Sequence, residues 1–467
     1  MKICVLQPDY STTNVDYKNY DPPRNLANLR PNDVVDHFFL NKLTTYKQLK
    51  ALSKKGYDIF VNLCEGYLEW EVPSIDVIHT LDLLNLPYTG PTVTLYDPPK
   101  PLMKYVAYCA GVKTPKAVVV SIEDPLSINV ENWDFPLFVK PAKAGDSLGV
   151  DDQSLVHSKM ELIEKAKALL IDYEEVLIEK YISGREFTVL VAANLDGKTC
   201  RVFKPVEYVF PKDRFFKTYA MKTSELHTET NVPCNDSILE AALRAATEQI
   251  FTTFGGVGYA RLDFRVDENM DIYFLEINFT CSVFYEDGYE GSADYILKFD
   301  PAGKSGFLNH IIEEGVARYQ RKQKKYKMKG NSLSGFGIFA NQQIAKNDII
   351  FKGEERAQRI VTKRYVQEHW NENQSNDFRH YAYPISQEVY ILWDENPENW
   401  APQNHSCNPN TMYKGLDVIA LKDINEGEEL TLDYATFLNE NIEPFDCHCQ
   451  SELCRGKIRG TKGNRIA

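Results

Sequence analysis

Residues 260–278, ARLDFRVDENMDIYFLEIN, decide the architecture of the first two-thirds of this 467-residue chain. They read as two strands joined by a turn at Asp267-Glu268-Asn269. Arg261, Asp263 and Arg265 alternate on the first strand, and Glu276 and Asn278 are two apart on the second, so each set shares a face. Asp263, Glu276 and Asn278 together make a cluster of oxygen ligands. Such a cluster suits Mg²⁺ carrying nucleotide phosphates, because that hard ion takes one or two carboxylates and leaves room for phosphate oxygens. A solvated hairpin with ordinary surface charges fits the same three residues, so the surrounding sequence has to decide.

Upstream, residues 2–7 form a short β-type run followed by a polar, Pro- and Asn-rich loop. Residues 44–54 are helical in pattern, 57–63 (YDIFVNL) read as a buried strand, and 75–86 as a helix leading to Pro87-Tyr88-Thr89-Gly90-Pro91. This strand–helix alternation predicts an α/β unit with a parallel sheet. Another helix spans 100–110 and stops at Gly111. FPLFVKPAKAGDSLGV (135–150) is a strand carrying Lys140, followed by a loop with Gly145, Ser147 and Gly149. Glycines let backbone N–H groups approach phosphate oxygens, and a lysine adds a point charge. VLIEKYISGREFTVLV (176–191) is a strand, a bend at Ser183-Gly184 and a second strand, able to offer backbone groups to a purine edge and Glu186 to ribose hydroxyls.

FVNLCEG, LPYTGP, the Lys104 helix before AGVKTP, FPLFVKPAKAGDSLGV, VLIEKYISGREFTV and ARLDF…LEIN, in that order, resemble the ATP-grasp superfamily and most closely the D-alanine–D-alanine ligase family. The resemblance covers roughly residues 1–315 and implies a three-subdomain α/β fold with ATP between two sheets. It implies ADP-forming ligation, in which a carboxylate is phosphorylated and an amine attacks the acyl phosphate. By the same resemblance Lys104, Lys140 and Lys222 contact phosphates and Ser147 binds phosphate from its loop. Glu179, Lys180, Tyr181 and Ile182 hold adenine, and Glu186 the ribose. Asp263, Glu276 and Asn278 hold Mg²⁺, and Arg261 stabilises the tetrahedral intermediate. The amino-acid half departs from the family. VLQPDYSTTN lacks the glycine pair and the glutamate; Ala144-Gly145-Asp146-Ser147 replaces Glu-Gly-Ser-Ser; Thr223 stands where the family has tyrosine; Phe279-Thr280-Cys281-Ser282 replaces a Pro-Gly turn. The expectation is a ligase not specific for D-alanine, with its substrate choice written in residues 279–282.

RKQKKYKMK (321–329) is a basic run, read as a solvated helix end and linker between two parts. Beyond Ser332 the texture is of short β-type segments and turns. Four features stand out: Gly335-Phe336-Gly337, Asn404-His405-Ser406-Cys407-Asn408-Pro409-Asn410, GEELTLDY (427–434), and a C-x-C-x4-C pattern at Cys447, Cys449 and Cys454. Clustered cysteines in a chain expected to be cytosolic read as Zn²⁺ ligands rather than disulfides. A closed zinc site needs a fourth ligand, for which Cys407 is the candidate and His448 the alternative. Together these features resemble a mainly β SET-domain lysine methyltransferase with a post-SET zinc tail. The resemblance implies S-adenosylmethionine held by Gly335, Phe336, Gly337, Asn404 and His405, and Tyr434 as the catalytic tyrosine. It also implies zinc on Cys407, Cys447, Cys449 and Cys454. The insert from 363 to 393, with Tyr381, Tyr383 and Trp393, is where substrate choice usually lives.

The expected division is 1–100 and 101–320 for the ligase-like part, 321–330 linker, 331–440 SET domain and 441–467 zinc tail. The net charge of −13 argues against nucleic acid as the main partner. With no apolar run long enough for a signal peptide or membrane span, a cytoplasmic chain is expected, and the basic run leaves a nuclear location open. Expected partners are a small acid and an amine for the first part and a protein lysine for the second. Relatives of the first part are commonly homodimers. The alternative is a lysine methyltransferase whose ATP-grasp part only binds nucleotide or a partner protein.

Overall fold

The computed structural model describes residues 1–14, 21–66, 71–121, 133–143, 147–210, 215–216, 230–331, 335–353, 358–393 and 401–460. Lys222, Thr223, Ala144, Gly145 and Asp146 lie outside the described residues. The chain divides into two compact units, Met1–Arg321 and Lys322–Ala467. No helix among the described residues is long and apolar enough to cross a membrane.

The first unit begins with a parallel sheet in the order β2-β1-β3, made of β1 (Lys2–Pro8), β2 (Val34–Leu40) and β3 (Ile59–Asn62). β1 is buried on both sides. Ile3 and Val5 pack against Phe307, Leu308 and Ile311 of the helix Gly303–Lys322, while Cys4 and Leu6 pack toward the helices Thr45–Leu52 and Ile75–Leu83. A central parallel strand must be apolar on both faces, which KICVLQP satisfies. β2 falls where a loop was expected. VVDHFFL carries polar residues at its centre, but each is engaged: Tyr57 donates to Asp36 at 2.7 Å and the Leu26 amide donates to His37 Nε2 at 3.0 Å. Tertiary partners, not local pattern, make this an edge strand.

Next comes an antiparallel sheet in the order β4-β7-β5-β6, from β4 (Ala117–Ser121), β5 (Leu137–Pro141), β6 (Leu155–Val156) and β7 (Glu175–Lys180). The helix Lys159–Asp172 buries Leu162, Ala166 and Leu169 against it. A third sheet runs β11-β10-β8-β12-β13, with β9 also on β8. Its strands are β8 (Arg185–Ala193), β9 (Cys200–Val202), β10 (Val206–Tyr208), β11 (Asn231–Pro233), β12 (Tyr259–Val266) and β13 (Ile272–Asn278). The helix Ser237–Thr253 backs this sheet through Leu239, Leu243, Ile250 and Phe251, and its N-cap Asp236 accepts from the Ile238 and Leu239 amides. Phe279 joins this core, fully buried against Phe251 and Phe254.

In the second unit the basic run is only partly a linker. It closes the helix Gly303–Lys322 and then supplies the strand Tyr326–Asn331, paired antiparallel with Gly335–Ala340. Alternation of Tyr326, Met328 and Gly330 with lysines lets the charges face out while Tyr326 packs on Phe351. Small sheets follow, and the strand Asn404–His405 lies parallel to Thr431–Leu432. The 363–393 insert contains the helices Lys363–His369 and Glu372–Tyr381 and the strand Val389–Trp393.

The bend between β7 and β8 admits no side chain. Gly184 has φ +132° and a Cβ there would stand 2.1 Å from the Val266 carbonyl oxygen. Gly184→Ala is therefore expected to cost about 1–3 kcal/mol, read as a lowered denaturation midpoint for the first unit; an unchanged midpoint contradicts the close approach.

Candidate functional site

The β12–β13 register puts Asp263 opposite Glu276 and Arg261 opposite Asn278. A register shift just after Asp263 leaves Leu275 as an extra residue, so that Leu275 and Glu276, though adjacent, both line one cleft. A bulge re-aims side chains in this way. The cleft, open to solvent, spans about 810 Å³ and draws on both antiparallel sheets: Lys140 from β5, Glu179 and Lys180 from β7, Glu186 from β8, Asp263 and Arg265 from β12, and Glu276 from β13. Ser147, Tyr181, Ile182 and Phe216 line it as well.

Lysines gather at one wall. Glu179 accepts from Lys140 and Lys104, each at 2.7 Å. Burial works to raise the Glu179 pKa, but the two ammonium groups outweigh it and hold the carboxyl down at about 2. Burial lowers Lys104, whereas Glu179 and Glu276 together keep Lys140 above the ordinary lysine value despite its burial. Lys104 also donates to Thr114 at 3.0 Å and to the Pro115 carbonyl at 3.4 Å and is not part of the cleft lining. Lys100, one turn earlier on the helix Lys100–Cys109, does line the cleft; burial lowers its pKa, with Glu276 the largest opposing influence. Sequence reasoning missed Lys100. Its i,i+4 spacing from Lys104 places both on one helix face and was the signal available.

The carboxylates of β12 and β13 line the same cleft. Arg261 donates to Asp263 Oδ2 at 3.0 Å. Asp263 Oδ1, the Asn278 amide nitrogen and Thr188 Oγ1, which faces Asp263 across the β8–β12 pair, are buried with no hydrogen-bond partner among the described residues. Buried polar atoms left so are costly unless a ligand or water meets them, and a carboxylate pair beside an amide is the donor set a hard divalent ion takes. Lys180 donates to the Asp134 carbonyl at 2.6 Å and Tyr181 to the Phe215 carbonyl at 2.9 Å.

A second hollow, of about 510 Å³, opens beyond the carboxyl end of β1, lined by Gln7, Asp9, Tyr10, Asp21 and Phe39 among others. The order β2-β1-β3 makes that end a topological switch point, the usual ligand side of an open parallel sheet. Gln7 exchanges two hydrogen bonds with the Arg24 backbone, at 3.0 and 2.7 Å. Arg24, buried, donates to the Leu63 carbonyl at 3.0 Å and to Glu65 at 3.2 Å. Neither Arg24 nor Asp21 was singled out from sequence, because an Asp and an Arg in a Pro-rich stretch carry no pattern.

In the second unit Asn404 Nδ2 donates to the Phe336 carbonyl at 3.1 Å and to Glu429 at 2.7 Å. A Cβ on Gly337 would come within 2.4 Å of Glu429 Oε1 and 2.7 Å of Asn404 Nδ2, so a side chain there would displace that pair. Asn410 ties the knot to GEELTLDY, donating to the Glu429 carbonyl at 2.8 Å and accepting from the Thr431 amide at 2.9 Å. The Tyr434 hydroxyl donates to the Gln403 carbonyl, and burial pushes its pKa well above the usual phenol value, so it stays neutral. Tyr434, Phe437, Tyr413 and Tyr383 pack ring to ring at 4.9–5.4 Å. Tyr383 is buried in this group while Tyr381 is exposed.

The Sγ atoms of Cys407, Cys447, Cys449 and Cys454 all lie within 4.8 Å of one another, with Cys407 and Cys447 3.8 Å apart. Four thiolates at about 2.3 Å around a tetrahedral Zn²⁺ would be about 3.8 Å apart. The Cys449 thiol is lowered to about 6 although burial opposes it, because backbone N–H groups of Cys407 and Ser451 favour its thiolate. His448 is not in the cluster.

Comparison with known proteins decides the family. The D-ala D-ala ligase C-terminus family matches residues 112–283, and the SET domain family matches 335–435. The D-alanine–D-alanine ligase of Laribacter hongkongensis is 31% identical over 243 residues, half of this chain and 72% of that protein. The chain belongs to the D-alanine–D-alanine ligase family and carries a SET domain in addition. The D-alanine–D-alanine ligase of Hydrogenovibrio crunogenus is 31% identical over 202 residues, 42% of this chain, and the match spans only 61% of its length. The crystal structure of the Bacillus anthracis D-alanine–D-alanine ligase complexed with ATP superimposes with a TM-score of 0.51 at 19% identity, over 69% of this chain and all of that one. The fold is thus that of the ATP-grasp ligases, followed by a strand-rich SET domain.

The buried triad makes stability pH-dependent in a stated direction. Glu179 titrates near 2 folded against an ordinary 4.5, so its contribution is fully present above pH 4.5 and is lost as pH falls toward 2. Glu179→Gln, which leaves two buried ammonium groups without their counter-ion, should destabilise by about 3 kcal/mol at pH 7 and flatten the acid limb of the unfolding profile between those values. An acid limb identical to wild type would refute the pairing.

Proposed function

We propose that the chain is a two-site enzyme. The first unit is an ATP- and Mg²⁺-dependent, ADP-forming carboxylate–amine ligase that is not specific for D-alanine; the second is an S-adenosylmethionine-dependent protein-lysine N-methyltransferase.

One observation carries the ligase reading: near-buried lysines and the carboxylates of the β12–β13 hairpin line a single cleft. Charges of both signs gathered in this way complement a polyanion and a divalent cation together, which is what a metal nucleotide is. Lys100, Lys140 and Ser147 line the phosphate end, and Glu179 pairs with Lys140 there and with Lys104 behind it. Lys222 is assigned to the phosphates as well. Asp263, Glu276 and Asn278 would hold Mg²⁺, which bound there would offset phosphate charge. Arg261, 6% exposed beside Asp263, is suited to an oxyanion forming at the acyl carbon. Glu179, Lys180, Tyr181 and Ile182 form the adenine end and Glu186 the ribose contact. The hollow at the end of β1, with Asp9, Tyr10 and Asp21, supports an acceptor other than D-alanine, since VLQPDYSTTN carries neither the glycine pair nor the glutamate of the family.

For the second unit, Gly335, Phe336, Gly337, Asn404 and His405 form the S-adenosylmethionine side. Neutral Tyr434, held by the Gln403 carbonyl beside a buried aromatic group, supports a channel that positions a lysine amine. Zn²⁺ on Cys407, Cys447, Cys449 and Cys454 would fasten the tail.

ADP release measured with ATP and a panel of amino and other carboxylic acids tests the ligase. Selective formation of D-alanyl-D-alanine would contradict the specificity proposed, and Glu276→Gln should lower ADP release by about 100-fold or more with methylation unaffected. Labelled S-adenosylmethionine supplied with protein extracts should mark lysines, and Tyr434→Phe should abolish the label; a wild-type protein that labels nothing would leave the SET domain without this role. Metal analysis should return zinc, and Cys449→Ser should reduce it; a zinc-free wild type would defeat the cysteine assignment.

A further inference from the structure

Arg265 is the third residue on the Arg261–Asp263 face, and neither the metal nor the phosphates call for it. It is 4% exposed and lines the cleft. It sits directly opposite Glu186 across the β8–β12 pair, and its Nη2 donates to Glu186 Oε2 at 2.9 Å and to the Phe215 carbonyl at 2.6 Å. Its Nη1 reaches the Tyr181 hydroxyl and the Gly184 carbonyl, both at 3.3 Å, and the Ile182 carbonyl at 3.5 Å. The guanidinium also lies over the rings of Tyr181 and Phe210, at 5.4 and 5.2 Å. It therefore spends its donors on the protein.

We propose that Arg265 is the positioning residue for sugar recognition: by locking the Glu186 carboxylate against the backbone of residues 181–184, it makes this cleft select nucleotides that carry ribose hydroxyls. The inference rests on the ATP reading of the cleft. A carboxylate accepting from a hydroxyl is a strong hydrogen bond only if its oxygen already points at the donor, and a planar guanidinium fixes that direction where a lysine ammonium does not. The same fork joins the carboxylate to the carbonyls of Ile182 and Gly184, so its direction is fixed by the strand-to-strand bend.

Binding of MgATP and of Mg-2′,3′-dideoxyATP to the full chain, measured by calorimetry, tests this. Wild type should prefer ATP by about tenfold or more, the value of a charge-assisted hydroxyl contact. Arg265→Lys should shrink that preference to about threefold or less while leaving dideoxyATP affinity within about twofold. In a Glu186→Gln background, which itself loses the preference, adding Arg265→Met should change the preference no further, as two residues acting as one unit require. This double variant removes both buried partners together and keeps the test available if Arg265→Met alone fails to fold. An Arg265→Lys protein that keeps the full preference, or loses both affinities equally, overturns the inference. A wild type that binds both nucleotides alike overturns it while leaving the ATP reading standing; a wild type that binds neither overturns both.

Discussion

Charged groups that cannot reach water must meet one another, and this constraint shapes the first unit. Glu179 is held between Lys104 and Lys140, Asp263 against Arg261, and Glu186 against Arg265, all with little exposure. Breaking any one pair strands a charge in a low-dielectric interior, which costs far more than the pair itself contributes. The pairs therefore act as a template. Strand register, the bulge after Asp263 and the glycine bend at 184 all have to place these partners together. The architecture that results gathers lysines and carboxylates around one cleft.

The second unit obeys a different constraint. Its small sheets bury little each, and its centre is stitched by side chains instead. Asn410 bridges the knot to the 427–434 strand, and the His405 ring accepts from the Tyr434 amide at 3.1 Å while its other nitrogen lies 3.3 Å from Cys407 Sγ. Arg455 adds contacts from its backbone and side chain to the same sulfur, both at 3.4 Å, and an ion pair to Asp433. One sulfur thus connects the cysteine tail to the backbone of the tyrosine. A metal bound at the four cysteines would stiffen the site through that path as well as closing the tail.

Much of this was readable in residues because it is local. The hairpin at 260–278, the strand–bend–strand at 176–191 and the cysteine spacing follow from alternation, turn residues and ligand chemistry over short stretches. What was not readable depends on partners far apart in the chain. Lys100 and Lys104 share a helix face, and only packing distinguishes the one that lines the cleft from the one that holds Glu179. β2 looked like loop because Asp36 and His37 interrupt it, and their partners Tyr57 and Leu26 come from other segments. Residues 279–282 were expected to carry substrate choice, yet Phe279 is core. The role of Arg265 required its cross-strand neighbour, since an arginine at the end of an alternating strand reads as surface charge.

The central claim is that the Asp263–Glu276–Asn278 hairpin and the lysine wall form one metal–nucleotide site. The most direct measurement is Mn²⁺ binding to the full chain by electron paramagnetic resonance, with and without ATP, for wild type and Asp263→Asn. The account predicts a protein-bound Mn²⁺ signal that appears with ATP and is lost in the variant. A wild-type spectrum that matches MnATP free in solution would contradict it.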